Sequence, residues 1–126
     1  MWQLKEIKYK DIEKYDNDYC RRSGDVEVVE AASYYGIFVN GIMVSYFAIQ
    51  DAPNDGIFIR RGYVLPQYRH SGVWQQSIHL LEQAVKTKGY RSISFASNRN
   101  PFAYMRLFKN TGFKPVSIEF KKYIGD

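Results

Sequence analysis

The sequence predicts an α+β fold in which helices flank a mixed β-sheet. In the first half, Asn40-Gly41 joins two β-branched and aromatic runs, as in a type I′ hairpin. In the second half a strand, a helix and a strand follow one another, which implies a right-handed crossover between parallel strands. The chain has 126 residues, enough for one hydrophobic core and too few for two. We therefore expect a single domain over residues 1–126.

The first half predicts strands around one helix. Residues 2–7 alternate apolar and polar side chains, as in a strand, and Ile12, Tyr15 and Tyr19 share one face of a helix over 10–22. The Asn-Gly hairpin comes next, and a Pro-Asn-Asp-Gly turn leads back into a further strand. The predicted strands after the helix are 34–39, 42–49 and 57–65.

The second half predicts a helix, a strand, a helix and a strand. Trp74, Ile78, Leu81 and Val85 recur at helical spacing, and Gly89 stands where a C-terminal cap is expected. A strand over 91–96 follows. Asn-Pro at positions 100 and 101 is typical of an N-cap followed by proline in the first turn. This second helix ends at position 112, and 116–124 is the last predicted strand.

Composition indicates a folded protein of a reducing compartment. Hydrophobic residues make up 45% of the chain and charged residues 25%. Cys20 is the only cysteine, which excludes an internal disulfide, and we expect it at the surface or half-buried. With two histidines, no cluster has zinc-ligand spacing, so no metal is expected. No apolar run reaches the roughly 18 residues of a membrane span, and residues 1–10 lack a secretory leader pattern, so we expect a cytoplasmic protein.

Charge is divided unevenly along the chain. Residues 1–56 carry 6 Lys and Arg against 10 Asp and Glu, whereas residues 57–126 carry 12 against 3. The basic second half indicates an anionic partner, and a phosphate-rich cofactor or a nucleic acid would satisfy it. We expect solvated lysines on exposed helix faces to account for most of the excess.

The stretch YVLPQYRHSGVW, residues 63–74, lies between a predicted strand and a predicted helix. Backbone N–H groups at the start of a helix point to where an anion can bind. Ser71 and Gly72 lie at this turn, and Gly72 keeps the backbone flexible without a side chain that would hold a phosphate away. Arg69 and His70 add positive or polar groups beside it.

Two segments resemble the GNAT superfamily of N-acetyltransferases. In that family the fourth strand ends in a pattern close to VxPxYRxxGxG, and a later segment reads close to NxxAxxLYxxxGF. The first pattern is matched by Val64, Pro66, Tyr68, Arg69 and Gly72. The second is matched by Asn100, Ala103, Leu107, Gly112 and Phe113, with a spacing one residue longer near its start. The resemblance covers most of the chain from residue 34 onward and implies an acyl-CoA N-acyltransferase fold.

The resemblance also implies acetyl-CoA as the cofactor and an amine of a small molecule or protein as the acceptor. The backbone of Val64 and Leu65 would meet the pantetheine arm, and Arg69 would open the pyrophosphate loop. Asn98 or Asn100 would reach the cofactor from the end of the next strand, although an N-cap is the simpler role for Asn100. The pyrophosphate would be bound by backbone N–H groups of His70, Ser71, Gly72, Val73 and Trp74.

The chain departs from the family pattern at two positions. Trp74 replaces a small residue, so its indole either packs into the core beside Ile78 and Leu81, which the helical spacing favours, or enters the cofactor slot. Phe108 stands where the family has a tyrosine that protonates the departing thiolate. Tyr104, one helical turn earlier, is the candidate replacement acid.

The fourth strand offers no carboxylate as a general base. Asp51 and Asp55 flank it in a polar turn, where we expect solvated side chains, and by alternation either Arg60 or Arg61 should face the cleft. Two hypotheses follow: an N-acetyltransferase in which the amine attacks the thioester directly, and a catalytically inactive binding protein of the same fold. A nucleic-acid binder ranks last, because the aromatic residues of the basic half fall at core-like spacing.

Overall fold

A computed structural model describes residues 1–23, 32–95, 111–113, 122 and 124. The elements follow the predicted order as far as they are described. Short 3-10 turns precede α1 and follow β4. The strands and helices are β1 (Trp2–Ile7), α1 (Glu13–Ser23), β2 (Ser33–Val39), β3 (Ile42–Ala52), β4 (Gly56–Val64), α2 (Val73–Thr87) and β5 (Ser92–Ser94). The helix predicted after Asn100 lies outside the described residues, as does nearly all of the predicted last strand.

The five described strands form one mixed sheet in the order β1-β2-β3-β4-β5. The first four are antiparallel to their neighbours, and β5 runs parallel to β4. The predicted α+β architecture is therefore confirmed: hairpins build one side of the sheet, and the crossover through α2 builds the other. Asn40 and Gly41 both have positive φ, of 50° and 83°, as the predicted type I′ turn requires.

A β-bulge interrupts β4. Ile59 lies opposite Ile49 of β3, but Arg61 lies opposite Ala48, so Arg60 is an extra residue in β4. The bulge moves the side chains that follow it to the other face of the sheet. Ile57 and Ile59, which precede the bulge, pack towards α2. Arg61, which follows it, lies on the face that α1 covers.

The two faces of the sheet carry separate cores. On the α2 face the helix contributes Ile78, Leu81 and Val85, all predicted from their spacing. On the α1 face Ile12 packs among tyrosines that include Tyr34, Tyr46 and Tyr63. Cys20 also lies in α1 and is 7% exposed, so the expectation of a surface or half-buried thiol is wrong. A helix that covers a sheet buries the side chains on its inner face, even where charged residues are their neighbours in the sequence.

A buried ion pair joins α1 to the sheet. Asp16 and Arg61 are 0% and 1% exposed, and a nitrogen of the guanidinium bonds a carboxylate oxygen. The hydroxyl of Tyr46 on β3 donates to the other oxygen of Asp16 over 2.8 Å. The guanidinium also lies 5.5 Å from the centre of the Tyr19 ring. Opposite charges and hydrogen bonds of this kind are what allow two ions to be removed from water.

None of the helices among the described residues is long and apolar enough to cross a membrane.

Replacing Asp16 with alanine should destabilise the fold by about 3 to 5 kcal/mol, because it leaves the Arg61 guanidinium buried without its counter-ion. Urea unfolding measures the change in free energy. Glu13→Ala on the same helix is the matched control, since it also removes a carboxylate but from an exposed side chain. Equal unfolding midpoints for the two variants would contradict the assigned role of Asp16.

Candidate functional site

The described part of β5 pairs in parallel with the beginning of β4. Within the described part of the chain, β5 pairs with Gly56, Ile57 and Phe58, whereas β4 continues to Val64. The N–H of Leu65 bonds the carbonyl of Val44 on β3 at 3.0 Å. By antiparallel alternation, the peptide groups of Val64 and Gly62 then point away from β3. The end of β4 therefore offers backbone donors and acceptors along its outer edge.

A tight turn connects this edge to α2. Pro66–Tyr68 forms a 3-10 turn, and the hydroxyl of Ser71 donates to the carbonyl of Tyr68. His70 and Gly72 both have left-handed backbone conformations, with φ of 64° and 79°. Gly72 is exposed, and a side chain added there would meet no atom within 4 Å. Glycine therefore suits the positive φ and leaves open space above the turn.

The N-terminus of α2 opens into that space. Gly72 is the N-cap residue, no side chain caps the helix, and the N–H of Gln76 makes a bond to the carbonyl of Gly72 at 3.2 Å. The N–H groups of the first turn thus point out of the helix end, where the helix dipole is positive. Backbone in this arrangement is suited to an anion such as a phosphate.

Arg69 folds back onto β4. Its Nε donates to the carbonyl of Val64 at 3.0 Å, and its guanidinium lies 5.0 Å from the centre of the Tyr63 ring. This side chain fastens the turn to the end of the strand. Of the residues expected in the loop, His70 and Ser71 are exposed beside Gly72, and Val73 is buried in the α2 core.

Tyr63 links the turn to α1. Its hydroxyl donates to Oδ2 of Asp18 at 2.9 Å, and Asp18 also pairs with Arg21 and Arg22. Burial, followed by the bond to Asp18, raises the pKa of Tyr63, and the same bond is the main cause that lowers the pKa of Asp18. Sequence reasoning missed Asp16 and Asp18 altogether, because nothing near either residue in the sequence points to its partner on the sheet.

The indole of Trp74 packs against the sheet. Its ring centre is 5.6 Å from that of Phe47 on β3, and it lies directly over Gly62 of β4. An added Cβ on Gly62 would stand 2.5 Å from Cη2 of the indole. Trp74 thus lies against the core cluster that contains Ile78 and Leu81, with Phe47 and Gly62 as its immediate neighbours.

Other candidates from the sequence lie elsewhere. Asp51 accepts a hydrogen bond from Tyr90 at 2.7 Å, and Asp55 is exposed in its turn. Arg61 does not face the cleft, because the bulge at Arg60 turns it into the α1 core. Among the described residues no group of three or more His, Cys, Asp or Glu could hold a metal ion. Three candidates lie outside those residues: Asn98, Asn100 and Tyr104.

The sequence model of the acetyltransferase (GNAT) family matches residues 2–113. This chain belongs to the GNAT acetyltransferase family. The match begins in β1 and ends after the second segment noted in the sequence, so it covers both motifs that predicted the family. A search of curated proteins found no match.

Solved structures share the GNAT fold. The Bacillus subtilis protein YycN superposes with a TM-score of 0.78 at 15% identity, over 100% of both chains. The ribosomal-protein-alanine N-acetyltransferase of Brucella melitensis gives 0.73 at 14% identity, over 99% of this chain and 100% of that one. The aminoglycoside N-acetyltransferase AAC(6')-Iy in complex with CoA gives 0.62 at 15% identity, over 97% and 100%. At these identities the likeness establishes the fold.

In this GNAT chain the contact between Trp74 and Gly62 predicts that the effect of Gly62→Ala on stability depends on the residue at position 74. Gly62→Ala should destabilise the protein by about 1 to 3 kcal/mol, because the new methyl group collides with a rigid indole. In a Trp74→Ala background the same change should be neutral or slightly stabilising, since alanine loses less backbone entropy than glycine on folding. Urea unfolding of the four proteins measures both steps. The same cost in both backgrounds would contradict the packing.

The buried tyrosines predict alkaline unfolding. Burial, with Asp16 nearby, raises the pKa of Tyr9 to about 12, and burial also raises the pKa of Tyr46. Between about pH 10 and pH 12 the unfolded chain releases tyrosine protons that the folded chain keeps, so stability falls as the pH rises. Unfolding midpoints measured across this range should decline, and Tyr46→Phe should reduce the slope. A flat profile would contradict the burial of these hydroxyls.

Proposed function

We propose that this GNAT chain binds acetyl-CoA and transfers the acetyl group to an amine of an acceptor. The observation that carries the proposal is the combination of outward-facing peptide groups at the end of β4 with a left-handed turn at an uncapped helix N-terminus. The edge suits an amide-containing arm, and the turn suits a diphosphate. AAC(6')-Iy, which has the same fold, was solved in complex with CoA.

The turn would bind the pyrophosphate through backbone N–H groups from His70 to Trp74. Support comes from the positive φ of His70 and Gly72, which aims successive N–H groups into one concave surface. The exposed space above Gly72 leaves room for the phosphates. The net charge of +9 over residues 57–126 adds attraction for an anionic cofactor.

The end of β4 would hold the pantetheine arm and the thioester. Val64 and Gly62 direct their peptide groups outward, whereas the N–H of Leu65 is bonded to Val44. Val64 and Gly62 are therefore better suited than Leu65 to donate to pantetheine or to the thioester carbonyl. Arg69 occupies one lone pair of the Val64 carbonyl, and a second lone pair remains for a pantetheine N–H.

The chemistry proposed is direct attack. The amine nitrogen forms a bond to the thioester carbon, the C–S bond breaks, CoA leaves as a thiolate that takes up a proton, and the amine loses one. Alignment of the two reactants and polarisation of the carbonyl by outward N–H groups would supply most of the rate. Phe108 cannot protonate the thiolate, and Tyr104 is the proposed acid. Asp16 is engaged in its buried ion pair and is not the base, so the proposed acceptor of the amine proton is a relayed water.

A second candidate function is a binding protein of the GNAT fold without catalysis. The observation that favours it is the Trp74 indole, which lies against Gly62 of the strand that would receive the thioester. Together with Phe108 in place of a tyrosine, this arrangement is compatible with a protein that binds CoA and does not turn it over.

The cofactor proposal is tested by Gly72→Asp, with Gly72→Asn as its matched control. Both side chains tolerate a positive φ and have the same shape, but only aspartate places a negative charge beside the phosphates. CoA at 100 times its dissociation constant should stabilise the natural protein and Gly72→Asn by about 2.7 kcal/mol. Gly72→Asp should lose this stabilisation while keeping its unliganded stability. Equal CoA binding by the two variants would contradict a pyrophosphate site at this turn.

A measurement of turnover distinguishes the acetyltransferase from the binding protein. Thiol release from acetyl-CoA, measured with a panel of small amines and amino-terminal peptides, should occur with Gly72→Asn and be absent with Gly72→Asp. CoA binding without thiol release from any amine would favour the binding protein. If CoA does not bind to the natural protein at millimolar concentration, the acetyltransferase proposal is wrong.

A further inference from the structure

A cavity of about 170 Å³ lies between the C-terminal end of α2 and strands β1, β2 and β3. Its apolar floor includes Ile49, Leu81 and Val85, which belong to the α2 core and are 8%, 1% and 6% exposed. Sites for drug-sized ligands measure about 300 to 1,000 Å³. The cavity therefore fits a molecule well below that size with an apolar part.

Two opposite charges line the cavity, and each is held by a tyrosine. Asp51 accepts a hydrogen bond at Oδ1 from the hydroxyl of Tyr90, over 2.7 Å. Lys88 donates to the hydroxyl of Tyr35 over 3.2 Å, and its ammonium lies 5.3 Å from the centre of the same ring. Within the part of the chain that the structure describes, no ion pair joins Asp51 to Lys88. The two charges thus share one cavity without pairing with each other.

Both charged groups keep hydrogen-bonding capacity. A carboxylate accepts about four hydrogen bonds, and the contact with Tyr90 uses one. An ammonium donates three, and the contact with Tyr35 uses one. The bond to Asp51 is also the main cause that raises the pKa of Tyr90, so this hydroxyl remains a donor that holds the carboxylate in place.

The cavity is separate from the proposed acetyl-CoA site. Helix α2 rises about 1.5 Å per residue, so Gly72 and Lys88 are roughly 24 Å apart along its axis. The turn lies at one end of the helix and the cavity lies at the other. A ligand in the cavity would therefore occupy a second site rather than extend the first.

We propose that this cavity binds a small aliphatic zwitterion of the α-amino acid type. The ligand's ammonium pairs with Asp51, its carboxylate pairs with Lys88, and its side chain lies on the floor of Ile49, Leu81 and Val85. A lone cation or a lone anion would satisfy only one of the two charges. An apolar amine has no carboxylate, so it would leave Lys88 without a partner of opposite charge.

The test uses L-leucine with two matched analogues, isoamylamine, which lacks the carboxylate, and isocaproate, which lacks the ammonium. Titration followed by amide NMR should give saturable shifts at residues 81–88 and 49–51 with leucine. Each analogue should bind at least about tenfold more weakly, because a hydrogen bond to a charged group is lost. The experiment contains no CoA, so its result is independent of the acetyltransferase proposal.

Asp51→Asn and Lys88→Met should each weaken leucine binding at least about tenfold. Their controls are Asp55→Asn in the neighbouring turn and Lys86→Met on the same helix, which should bind leucine as the natural protein does. Absence of saturable shifts with millimolar leucine would overturn the proposal. Equal binding of leucine and isoamylamine, shifts centred on residues 70–74, or equal effects of Lys86→Met and Lys88→Met would overturn it as well.

Discussion

The bulge at Arg60 is the constraint on which the rest of the site depends. Without an extra residue, Arg61 would share a face with Ile57 and Ile59 and would point into the α2 core. With the extra residue, Arg61 reaches Asp16 on α1, and Gly62 lies on the opposite face of the sheet, against the indole of Trp74. The bulge also lies two residues after Phe58, the last residue of β4 that pairs with described β5. One irregularity thus lies between the half of β4 that pairs with the described part of β5 and the half whose end leads into the turn before α2.

The ion pair that the bulge permits fixes the position of α1 on the sheet more than it adds to the stability of the fold. Removing two ions from water costs several kcal/mol each, and their attraction offsets this only when hydrogen bonds complete the arrangement. Asp16 meets that condition through Arg61 and Tyr46, which come from two neighbouring strands. A carboxylate bound at two points on the sheet fixes where α1 lies across it. Through Tyr63 and Asp18, the same helix is connected to the turn that carries Arg69.

Local sequence patterns predicted the hairpin at Asn40-Gly41, the buried stripe of α2 and the turn at Gly72, because each depends on residues close together in the chain. The ion pair could not be predicted. Its partners are 45 residues apart. The strict alternation by which either Arg60 or Arg61 was expected to face the cleft fails at the bulge, which no residue type in the sequence predicts. The role of Arg69 was missed for a similar reason. A family motif places an arginine at the loop, but only the fold shows it bonded to Val64.

The pair formed by Trp74 and Gly62 bears on whether a cofactor can lie along β4. Side chains leave a sheet perpendicular to its plane, whereas peptide N–H and C=O groups lie within the plane. The indole covers Gly62 from the α2 face, and the peptide group of Gly62 points sideways from the edge. The large side chain of Trp74 therefore fits on the face of the sheet because Gly62 has no side chain there. That geometry supports an edge still open to a pantetheine arm, which both the acetyltransferase and the CoA-binding protein require.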